Sequence, residues 1–362
     1  MKVKLGDVIQ LNPSEKLPKG ERARKIAMDN LDTYAREISG FDFDEYKGGT
    51  KFRNEDTLLA RITPCLENGK TAYVNILEKD EVAFGSTEYF VLRANKELIN
   101  PLYLYYLSVS SDFRTVAIKS MTGTSGRQRV QKEAILNYEF DLPSLKEQER
   151  IVSRIECLDD KKALNDRIND NLLELSQAIF KNKFPNVNDG SEKVGMYITN
   201  YDKNRKPLSK KQRSQIPGKY RYIGATSVND YISKYNFDGI YLLLGEDGTV
   251  QDDNGYPILQ YIHGKFWPNN HAHVLQGNKV STEWLYLFFL QRNIDGIVTG
   301  AVQKKISQKN LNSLSIAVPD SGELAKFDNL IQPIFKQIRT LDRENGRLSK
   351  IKQELLKKFF SR

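Results

Sequence analysis

The chain has 362 residues, and its 55 Lys and Arg against 46 Asp and Glu give a formal net charge of +9. This length predicts two or three domains, and the positive charge predicts an acidic partner. Two cysteines, Cys65 and Cys157, are too few for a disulfide framework or a cysteine-rich zinc site. Because no apolar run has signal-peptide or membrane-spanning length, we expect a cytoplasmic protein without membrane contact.

The first half of the sequence is partly repeated in the second half, at a constant offset of 176 residues. The segment from Arg127 to Pro143 aligns with the segment from Gln303 to Pro319, and a Thr-Gly pair precedes each of them. A long polar segment with helical apolar spacing follows each proline. The repeat therefore predicts two copies of one unit, each followed by a long helix.

The two predicted long helices cover residues 144–184 and 320–362. Ser144 with Glu147 predicts a capping box at the first start, and Asp320 predicts an N-cap at the second. Spacings of three and four between apolar residues are those of a coiled-coil seam, although core packing gives similar stripes. The duplication favours pairing of the two helices, and in an antiparallel pair Asn165 and Asn345 lie at similar heights. The predicted seam residues are Ile151, Ile155, Leu158, Ile168, Leu172, Leu175 and Ile179, and Phe327, Ile331, Ile334, Ile338, Leu341, Leu348, Leu355 and Phe359.

The remaining sequence divides into two globular halves, residues 1–143 and 195–319, and a polar linker at 185–194. Both halves mix strand-like and helical segments, so each is predicted to be an α+β domain. The predicted strands lie at 58–62, 89–92, 241–244, 258–262 and 273–275, with helices near 101–107 and 282–291. The predicted architecture is two α+β domains separated by two long helices, which form an antiparallel coiled coil with internal pseudo-symmetry.

Motifs of catalysis are incomplete in this sequence. The segment from Pro64 to Thr71 ends like a phosphate-binding loop, but a proline replaces its first glycine. Dinucleotide-binding glycine loops and amino-methyltransferase tetrapeptides are absent. His271 and His273 would point the same way on a strand, but with only His263 as a third histidine and no nearby cysteine, structural or DNA-facing roles are favoured over a metal site. We therefore predict a non-catalytic chain that binds no metal or cofactor.

Two segments are rich in basic residues and contain no acidic one. Eight basic residues lie between Lys203 and Arg221, and five lie between Phe113 and Lys132. Lys and Arg replace the counterions of phosphates, while Arg, Lys, Gln and Asn recognise base edges. A single basic run is often a solvated face, but basic residues at repeat-equivalent positions favour a nucleic-acid partner. The candidate DNA-binding residues are Arg127, Gln128, Arg129, Lys210, Lys211, Gln212, Arg213, Asn270, His271, Lys304 and Lys305.

Two similar but non-identical globular halves on one chain predict recognition of an asymmetric, split DNA target. One alternative is a free-standing DNA-acting enzyme, such as a nuclease or a fused methyltransferase, which would show turnover without partners. The other alternative is a scaffold that binds acidic proteins. Duplex DNA would then not compete for the basic surface in a steeply salt-dependent way.

Eight sequence strings stand out in combination: Lys4–Val8, Arg61–Ala72, Phe84–Arg93, Pro143–Ile155, Arg205–Arg213, Tyr220–Ile232, Leu242–Val250 and Gly264–Gly277. Together these strings resemble the DNA-specificity subunit of type I restriction-modification systems, over essentially the whole chain. The chain departs from the family pattern twice: the second half lacks an obvious Lys-Leu-Gly-Asp start, and its second helix lacks a counterpart of the pair Glu147-Gln148.

This resemblance implies two target-recognition domains, an antiparallel helix pair and no catalysis in this subunit. It further implies that two modification (DNA-methyltransferase) subunits bind beside the helices and methylate adenine in double-stranded DNA with S-adenosylmethionine. Two restriction motor-nuclease subunits can join them, using ATP and magnesium. A subunit that serves modification alone is a further alternative within the family.

Overall fold

The computed structural model describes residues 1–124, 126–300 and 303–361. The chain divides into two compact units: Met1–Asn165 with Glu344–Arg362, and Asp166–Arg343. Residue 362, where the second predicted helix ends, lies outside the described residues. Both units combine strands and helices, which confirms the predicted α+β class. Within the described residues, no helix is both long and apolar enough to span a bilayer.

The first unit contains short strands in two four-stranded sheets and one two-stranded sheet. Its strands are β1 (Lys2–Lys4), β2 (Ile9–Leu11), β3 (Arg22–Ile26), β4 (Asp42–Glu45), β5 (Thr50–Phe52), β6 (Thr57–Ala60), β7 (Thr71–Tyr73), β8 (Ala83–Gly85), β9 (Tyr89–Ala94) and β10 (Glu139–Asp141). The sheet orders are β2-β9-β6-β7, β4-β3-β8-β5 and β1-β10. The predicted strands near 58–62 and 89–92 are therefore confirmed as β6 and β9.

Three short helices and parts of two long ones complete the first unit: α1 (Pro101–Val109), α2 (Ser111–Lys119), α3 (Lys132–Leu136), the first part of α4 (Leu145–Lys183) and the last part of α8 (Ser321–Phe360). The Asn100 side chain caps α1 by accepting hydrogen bonds from the Leu102 and Tyr103 amides at 2.9 and 3.1 Å. The main core of this unit joins α1 to both long helices, through residues such as Ile155 and Phe360.

The second unit has one six-stranded and one two-stranded sheet. Its strands are β11 (Glu192–Lys193), β12 (Ile198–Asn200), β13 (Pro217–Ile223), β14 (Val228–Ile232), β15 (Phe237–Gly245), β16 (Leu259–Pro268), β17 (Ala272–Gly277) and β18 (Ser315–Ile316). The orders are β12-β17-β15-β16-β13-β14 and β11-β18. Its short helices are α5 (Lys210–Ser214), α6 (Thr282–Leu290) and α7 (Gln308–Asn312). β15, β16, β17 and α6 confirm the predicted elements of this half.

The two units share one topology at their starts. In the first unit a 3-10 helix, Leu5–Asp7, follows β1, and the Leu5 amide donates to the Tyr138 carbonyl at 2.8 Å. In the second unit a 3-10 helix, Val194–Met196, follows β11, and the Val194 amide donates to the Leu314 carbonyl at 2.9 Å. Lys193-Val194-Gly195-Met196 therefore takes the place of Lys4-Leu5-Gly6-Asp7. The second half therefore has a structural counterpart of the Lys-Leu-Gly-Asp start, although its sequence shows no obvious one.

The central hairpin differs between the units. In the second unit β15 and β16 pair continuously from Phe237 opposite Phe266 to Leu244 opposite Leu259. In the first unit the corresponding pairings are split between β5–β8 and β6–β7. The break contains Glu55 with a φ of +74° and the buried Asp56, whose carboxylate accepts hydrogen bonds from Arg93 at 2.6 and 2.7 Å. A backbone turn held by a buried ion pair thus replaces a continuous strand.

The two long helices pair antiparallel inside each unit. In the first unit the Lys161 ammonium lies 3.8 Å from the Glu344 carboxylate, and the Asn165 amide donates to the Asn345 side-chain oxygen at 2.9 Å. In the second unit Asn169 donates to Asp342 at 2.8 Å. In the first unit Asp159 also contacts Lys352, and in the second unit Phe180 contacts Phe327. In both units residue numbers rise along α4 as they fall along α8, which confirms antiparallel pairing. The contact between the two asparagines confirms that they lie at the same height.

The buried seam differs from the predicted apolar stripe. Ile151, Ile155, Phe327 and Ile331 are buried as predicted, but Leu175 is 49% exposed. Polar residues take part instead: Asp159, Asn165 and Ser176 on α4 and Asn345 on α8 are buried. A straight α-helix drifts relative to a 3.5-residue repeat, so one fixed heptad phase does not describe helices of 39 and 40 residues.

The helix starts agree with the sequence in part. Asp320 accepts hydrogen bonds from the Gly322 and Glu323 amides at 2.8 and 2.9 Å, which confirms the predicted N-cap. Ser144 likewise accepts from the Glu147 amide at 3.3 Å. The reciprocal half of the capping box is wrong, because the Glu147 carboxylate accepts two hydrogen bonds from Arg150 at 2.6 and 2.8 Å. A charged guanidinium is a stronger donor than a backbone amide.

Gln148, which has no counterpart in the second helix, has a structural role inside the first unit. Its side chain is fully buried. It accepts a hydrogen bond from the Asn100 amide at 2.8 Å and donates to the Leu98 and Pro143 carbonyls at 3.0 and 2.9 Å. The glutamine therefore joins the start of α4 to the start of α1 and is not available on the surface for a partner.

A buried ion pair lies between the long helices of the first unit. The Lys352 ammonium donates to both oxygens of Asp159 at 2.7 and 2.8 Å, and the Tyr106 hydroxyl donates to the same carboxylate at 3.0 Å. The Lys352 and Asp159 side chains are only 12% and 8% exposed. Burial lowers the pKa of Lys352, while the charge and hydrogen bond of Asp159 act in the opposite direction.

Replacing Lys352 by Met should lower the free energy of unfolding by on the order of 3 kcal/mol, because Asp159 is left buried without its cation. The double variant Asp159→Leu with Lys352→Met should recover most of this loss. The exposed pair Lys161 and Glu344 is the matched control, and Lys161→Gln should cost less than about 1 kcal/mol. Urea unfolding checks all three, and equal losses for the buried and exposed pairs would contradict the assignment.

Candidate nucleic-acid interface

A Thr-Gly loop in the first unit presents the basic residues Arg127 and Arg129. Thr122 and Arg129 exchange backbone hydrogen bonds at 2.9 and 3.0 Å across the loop. The loop is also fixed to the chain that follows β6, because the Thr63 amide donates to the Gln128 carbonyl at 3.0 Å. Ser125, within the loop, lies outside the described residues.

The second unit builds the same loop with the same backbone bonds. Thr299 and Lys305 exchange hydrogen bonds at 2.7 and 2.9 Å, and the Gly248 amide donates to the Lys304 carbonyl at 2.9 Å. Gly123 and Gly300 follow the two threonines with φ values of +128° and +92°, which explains the glycine in both copies. Residues 301 and 302 lie outside the described residues. The repeat therefore places Gln128–Arg129 and Lys304–Lys305 at equivalent positions.

Arg127 and Arg129 of the first loop differ in how firmly their side chains are held. Arg127 is exposed and forms no ion pair with any described residue. Arg129 donates to both carboxylate oxygens of Glu88 at 2.6 to 3.1 Å, and Arg61 donates to Glu88 at 3.3 Å. Arg129 is therefore held in one orientation, while Arg127 can follow a partner. The sequence did not predict the roles of Glu88 and Arg61, because both residues are distant in sequence from Arg129 and meet it only in the folded unit.

The equivalent position in the second unit carries different chemistry. The Glu246 amide donates to the His271 carbonyl at 2.9 Å, as the Arg61 amide donates to the Glu88 carbonyl at 3.0 Å, so His271 takes the place of Glu88. The half-exposed His271 ring lies 2.5 Å from the Asp247 carboxylate. Lys304 and Lys305 are exposed, and the Lys305 ammonium lies 3.7 Å from Glu246. Asn270, beside His271, is also exposed.

The basic segment of the second unit forms the short helix α5. Lys210 and Lys211 are exposed on it and form no ion pair with any described residue. Gln212 completes a capping box, in which its side chain accepts from the Ser209 amide at 2.8 Å. Arg213 donates to Asp230 at 3.0 Å, and its guanidinium carbon lies 4.7 Å from the centre of the Tyr222 ring. Gln212 and Arg213 thus stabilise the helix that presents Lys210 and Lys211.

Tyrosines and lysines lie together on the six-stranded sheet, on β13 and β16 and in the segment between β14 and β15. The Tyr220 and Tyr235 rings meet edge-to-face with centres 4.9 Å apart. Lys265 and Lys219 lie 4.4 and 5.3 Å from the centres of the Tyr235 and Tyr220 rings, respectively. Alternating aromatic and basic groups suit nucleic-acid contact. Tyr235 and Lys265 were missed because they are distant in sequence from the basic segment.

His273, for which the sequence favours a structural or DNA-facing role over a metal site, lies in a buried polar network. One carboxylate oxygen each of Asp202 and Glu246 and a ring nitrogen of His273 lie within 4.8 Å of one another. Arg205 donates to Glu246 at 2.7 Å, and His273 lies 2.6 Å from Asp202. Burial would raise the pKa of Asp202, but the hydrogen bond and charge of His273 hold it below its usual range. The Arg205 guanidinium lies 3.5 Å from Asp202 and 2.7 Å from Glu246, so it supplies positive charge to both carboxylates.

Replacing Glu88 by Gln should lower the free energy of unfolding by about 1–2 kcal/mol at pH 7, after allowance for its partly exposed partners. Hydrogen bonds from Arg129 hold the pKa of Glu88 below its usual value despite burial. Its stabilising effect is therefore present above the unfolded-state pKa and lost as the pH falls through the lower folded-state pKa. The difference from the unmodified protein should shrink below about pH 4. Chemical unfolding at several pH values measures this, with the exposed Glu133→Gln as control; a pH-independent difference would contradict it.

Comparisons with known proteins agree with this architecture. The family described as "Type I restriction modification DNA specificity domain" matches residues 1–174 and 198–356. The EcoAI specificity subunit of Escherichia coli is 40% identical over 111 residues, which are 31% of this chain and 19% of that protein. The MjaIX specificity subunit of Methanocaldococcus jannaschii is 21% identical over 291 residues, which are 71% of this chain and 67% of that protein.

A solved structure has a related fold. The type I restriction-modification S subunit from M. genitalium gives a TM-score of 0.51 at 15% identity, and the alignment covers 100% of this chain and 96% of that one. The curated relatives above 30% identity are matched over less than a third of their length. The family consists of specificity subunits and not of enzymes, in agreement with the sequence prediction. With most of its length matched, the chain belongs to the type I restriction-modification DNA-specificity family.

Proposed function

We propose that this chain recognises a two-part, asymmetric DNA target and directs adenine methylation, and with it restriction, by partner subunits. The observation that carries this proposal is the pair of Thr-Gly loops, which share one hydrogen-bonding pattern but present Arg127–Arg129 in one unit and Lys304–Lys305 in the other. Equivalent backbones place side chains alike, while different side chains select different bases. Membership of a DNA-specificity family supports the same conclusion.

The proposed contacts fall into two chemical classes. The exposed Arg127, Lys210, Lys211, Lys304 and Lys305 suit phosphates, because flexible cations replace counterions without a fixed geometry. Arg129 and Arg213 are each held by a carboxylate, and a pre-oriented guanidinium suits the edge of a guanine. Gln128, Gln212, Asn270 and His271 are proposed as supporting polar contacts.

The proposed domain organisation assigns residues 1–143 and 195–319 to the two target-recognition domains. The segments 144–184 and 320–362 are proposed as the helices beside which two modification subunits bind, with 185–194 as the connection. Two motor-nuclease subunits would join the same assembly on DNA in the cytoplasm. S-adenosylmethionine, ATP and magnesium would be bound by these partners and not by this chain.

Methyl transfer to duplex DNA tests this function directly. The modification subunit alone should transfer little methyl group to adenine, and addition of this chain should increase the transfer at a limited set of sites. The purified chain alone, with S-adenosylmethionine, magnesium and DNA, should give no transfer and no cleavage. Turnover by the chain alone would favour the free-standing enzyme, and methylation independent of the chain would contradict the proposal.

Replacing Lys210 and Lys211 by Ala should weaken binding to all DNA sequences alike. The slope of log K against log salt should decrease by about 0.9 for each phosphate that is no longer neutralised. Arg213→Ala should instead cost about 1–3 kcal/mol of discrimination at one half of the target. Titrations of labelled duplexes at several salt concentrations measure both effects, with the exposed Lys326→Ala of α8 as control. Unchanged affinity and salt slope in the lysine variant would remove both residues from the interface.

A further inference from the structure

The first unit contains a cavity of about 400 Å³ between α1, α2 and its parts of α4 and α8. Volumes of this size are typical of small-ligand sites, which combine apolar walls with a few placed polar groups. The apolar part of the wall consists of Tyr34, Tyr105, Val109, Leu158, Leu348 and Leu356. None of the candidate DNA-binding residues lines this cavity.

Cationic side chains outnumber acidic ones around the cavity. Arg114, Lys162, Lys352 and Lys357 line it, and Asp159 is the one acidic residue among the described lining residues. The Asp159 carboxylate is already bound by Lys352 and Tyr106. Arg114 and Lys357 form no ion pair with any described residue, so the cavity keeps positive charge beyond that of the pair formed by Lys352 and Asp159.

Arg114 is the most unusual of these cations. The residue is 8% exposed, and among the described residues no carboxylate lies within ion-pair distance of it. Its Nη2 donates to the Glu67 carbonyl at 3.3 Å, its guanidinium lies 5.1 Å from the centre of the Tyr34 ring, and its buried Nη1 has no hydrogen-bond partner among the described atoms. Burial lowers the pKa of Arg114. A buried cation without an anion is costly, so it points to an absent partner.

Another buried arginine of the same unit provides the comparison. Arg36 is also 8% exposed, but Glu37 and Asp160 lie 2.6 Å from its guanidinium and Glu156 lies at 3.8 Å. This fold thus supplies carboxylates to one buried guanidinium and none to the other. The difference leaves Arg114 able to pair with an anion from outside the chain.

The repeat supplies a matched cavity in the second unit. That cavity has a volume of about 390 Å³ and is lined by Gln177 and Lys181 of α4, at the repeat positions of Gln353 and Lys357 of α8. Leu290, the last residue of α6, takes the place of Val109, the last residue of α1. No arginine lines the described part of this second cavity. Arg292 donates to the carbonyl of the lining residue Asn188 at 3.1 Å but does not itself line the cavity, which therefore serves as an internal control without a lining guanidinium.

We propose that the cavity of the first unit binds a small organic anion with an aromatic body. The anionic group, a carboxylate, sulfonate or phosphate, would accept hydrogen bonds from Arg114, as a guanidinium favours. The aromatic body would lie against Tyr105, Leu348 and Leu356. This inference does not depend on DNA recognition, but α4 and α8, which line the cavity, are also the helices proposed above to bind the modification subunits.

Fluorescence titration with 8-anilinonaphthalene-1-sulfonate tests the proposal on the full chain in complex with its modification subunit. The matched neutral probe is N-phenyl-1-naphthylamine, which has the same rings without the sulfonate. We expect one sulfonate probe to bind per chain, at least about tenfold more tightly than the neutral probe, as one charge-assisted hydrogen bond predicts. Arg114→Met should remove this preference by weakening only the anionic probe.

Two further variants locate the site. Lys357→Gln should weaken the anionic probe about two- to fivefold through its charge, whereas Lys181→Gln in the matched cavity should leave it unchanged. Thermal unfolding checks the fold, and Arg114→Met should have an unchanged or higher Tm. The anionic probe should raise the Tm of the unmodified protein but not that of Arg114→Met. Equal affinity for the two probes, or an unchanged preference in Arg114→Met, would overturn the proposal. Binding of the anionic probe to the free chain but not to the complex would also overturn the proposal. That result would indicate that a side chain of the modification subunit occupies the cavity.

Discussion

The antiparallel pairing of α4 and α8 is the constraint on which both units depend. The core of the first unit includes Ile151 and Ile155 of α4 together with Phe360 of α8, and that of the second includes Phe180 and Phe327. Each unit therefore needs both helices to complete its core. Polar contacts in the seam, such as that between Asn165 and Asn345, reduce the gain from apolar burial but favour one register over its alternatives.

Duplication explains how one fold can present two recognition surfaces. Backbone hydrogen bonds around Thr122 and Thr299 reproduce one loop in both units, and the glycine that follows each threonine accommodates a positive φ. Side chains attached to this common backbone have diverged, with Glu88 in one unit and His271 in the other. The scaffold is thus held by interactions that do not depend on side-chain identity, which leaves the exposed positions free to change.

The sequence predicted the features that depend on periodicity and repetition. The long helices, their antiparallel pairing and the similar heights of Asn165 and Asn345 follow from spacing and from the repeat, and the structure adds that the two asparagines form a hydrogen bond. Features that depend on partners distant in sequence were not predictable. Gln148 meets Asn100 only after folding, and Lys352 finds Asp159 on the other long helix. The lack of a carboxylate near the buried Arg114 was not predictable either, because it depends on residues that are distant in sequence.

The central claim is that two unlike copies of one unit recognise the two halves of a single DNA site. Mapping of methylated adenine across a host genome, with and without this chain, tests it most directly. The account predicts that methylation dependent on the chain occurs at two different short sequences separated by a constant number of unspecified base pairs. A single uninterrupted motif, two identical half-sites, or methylation that persists without the chain would contradict it.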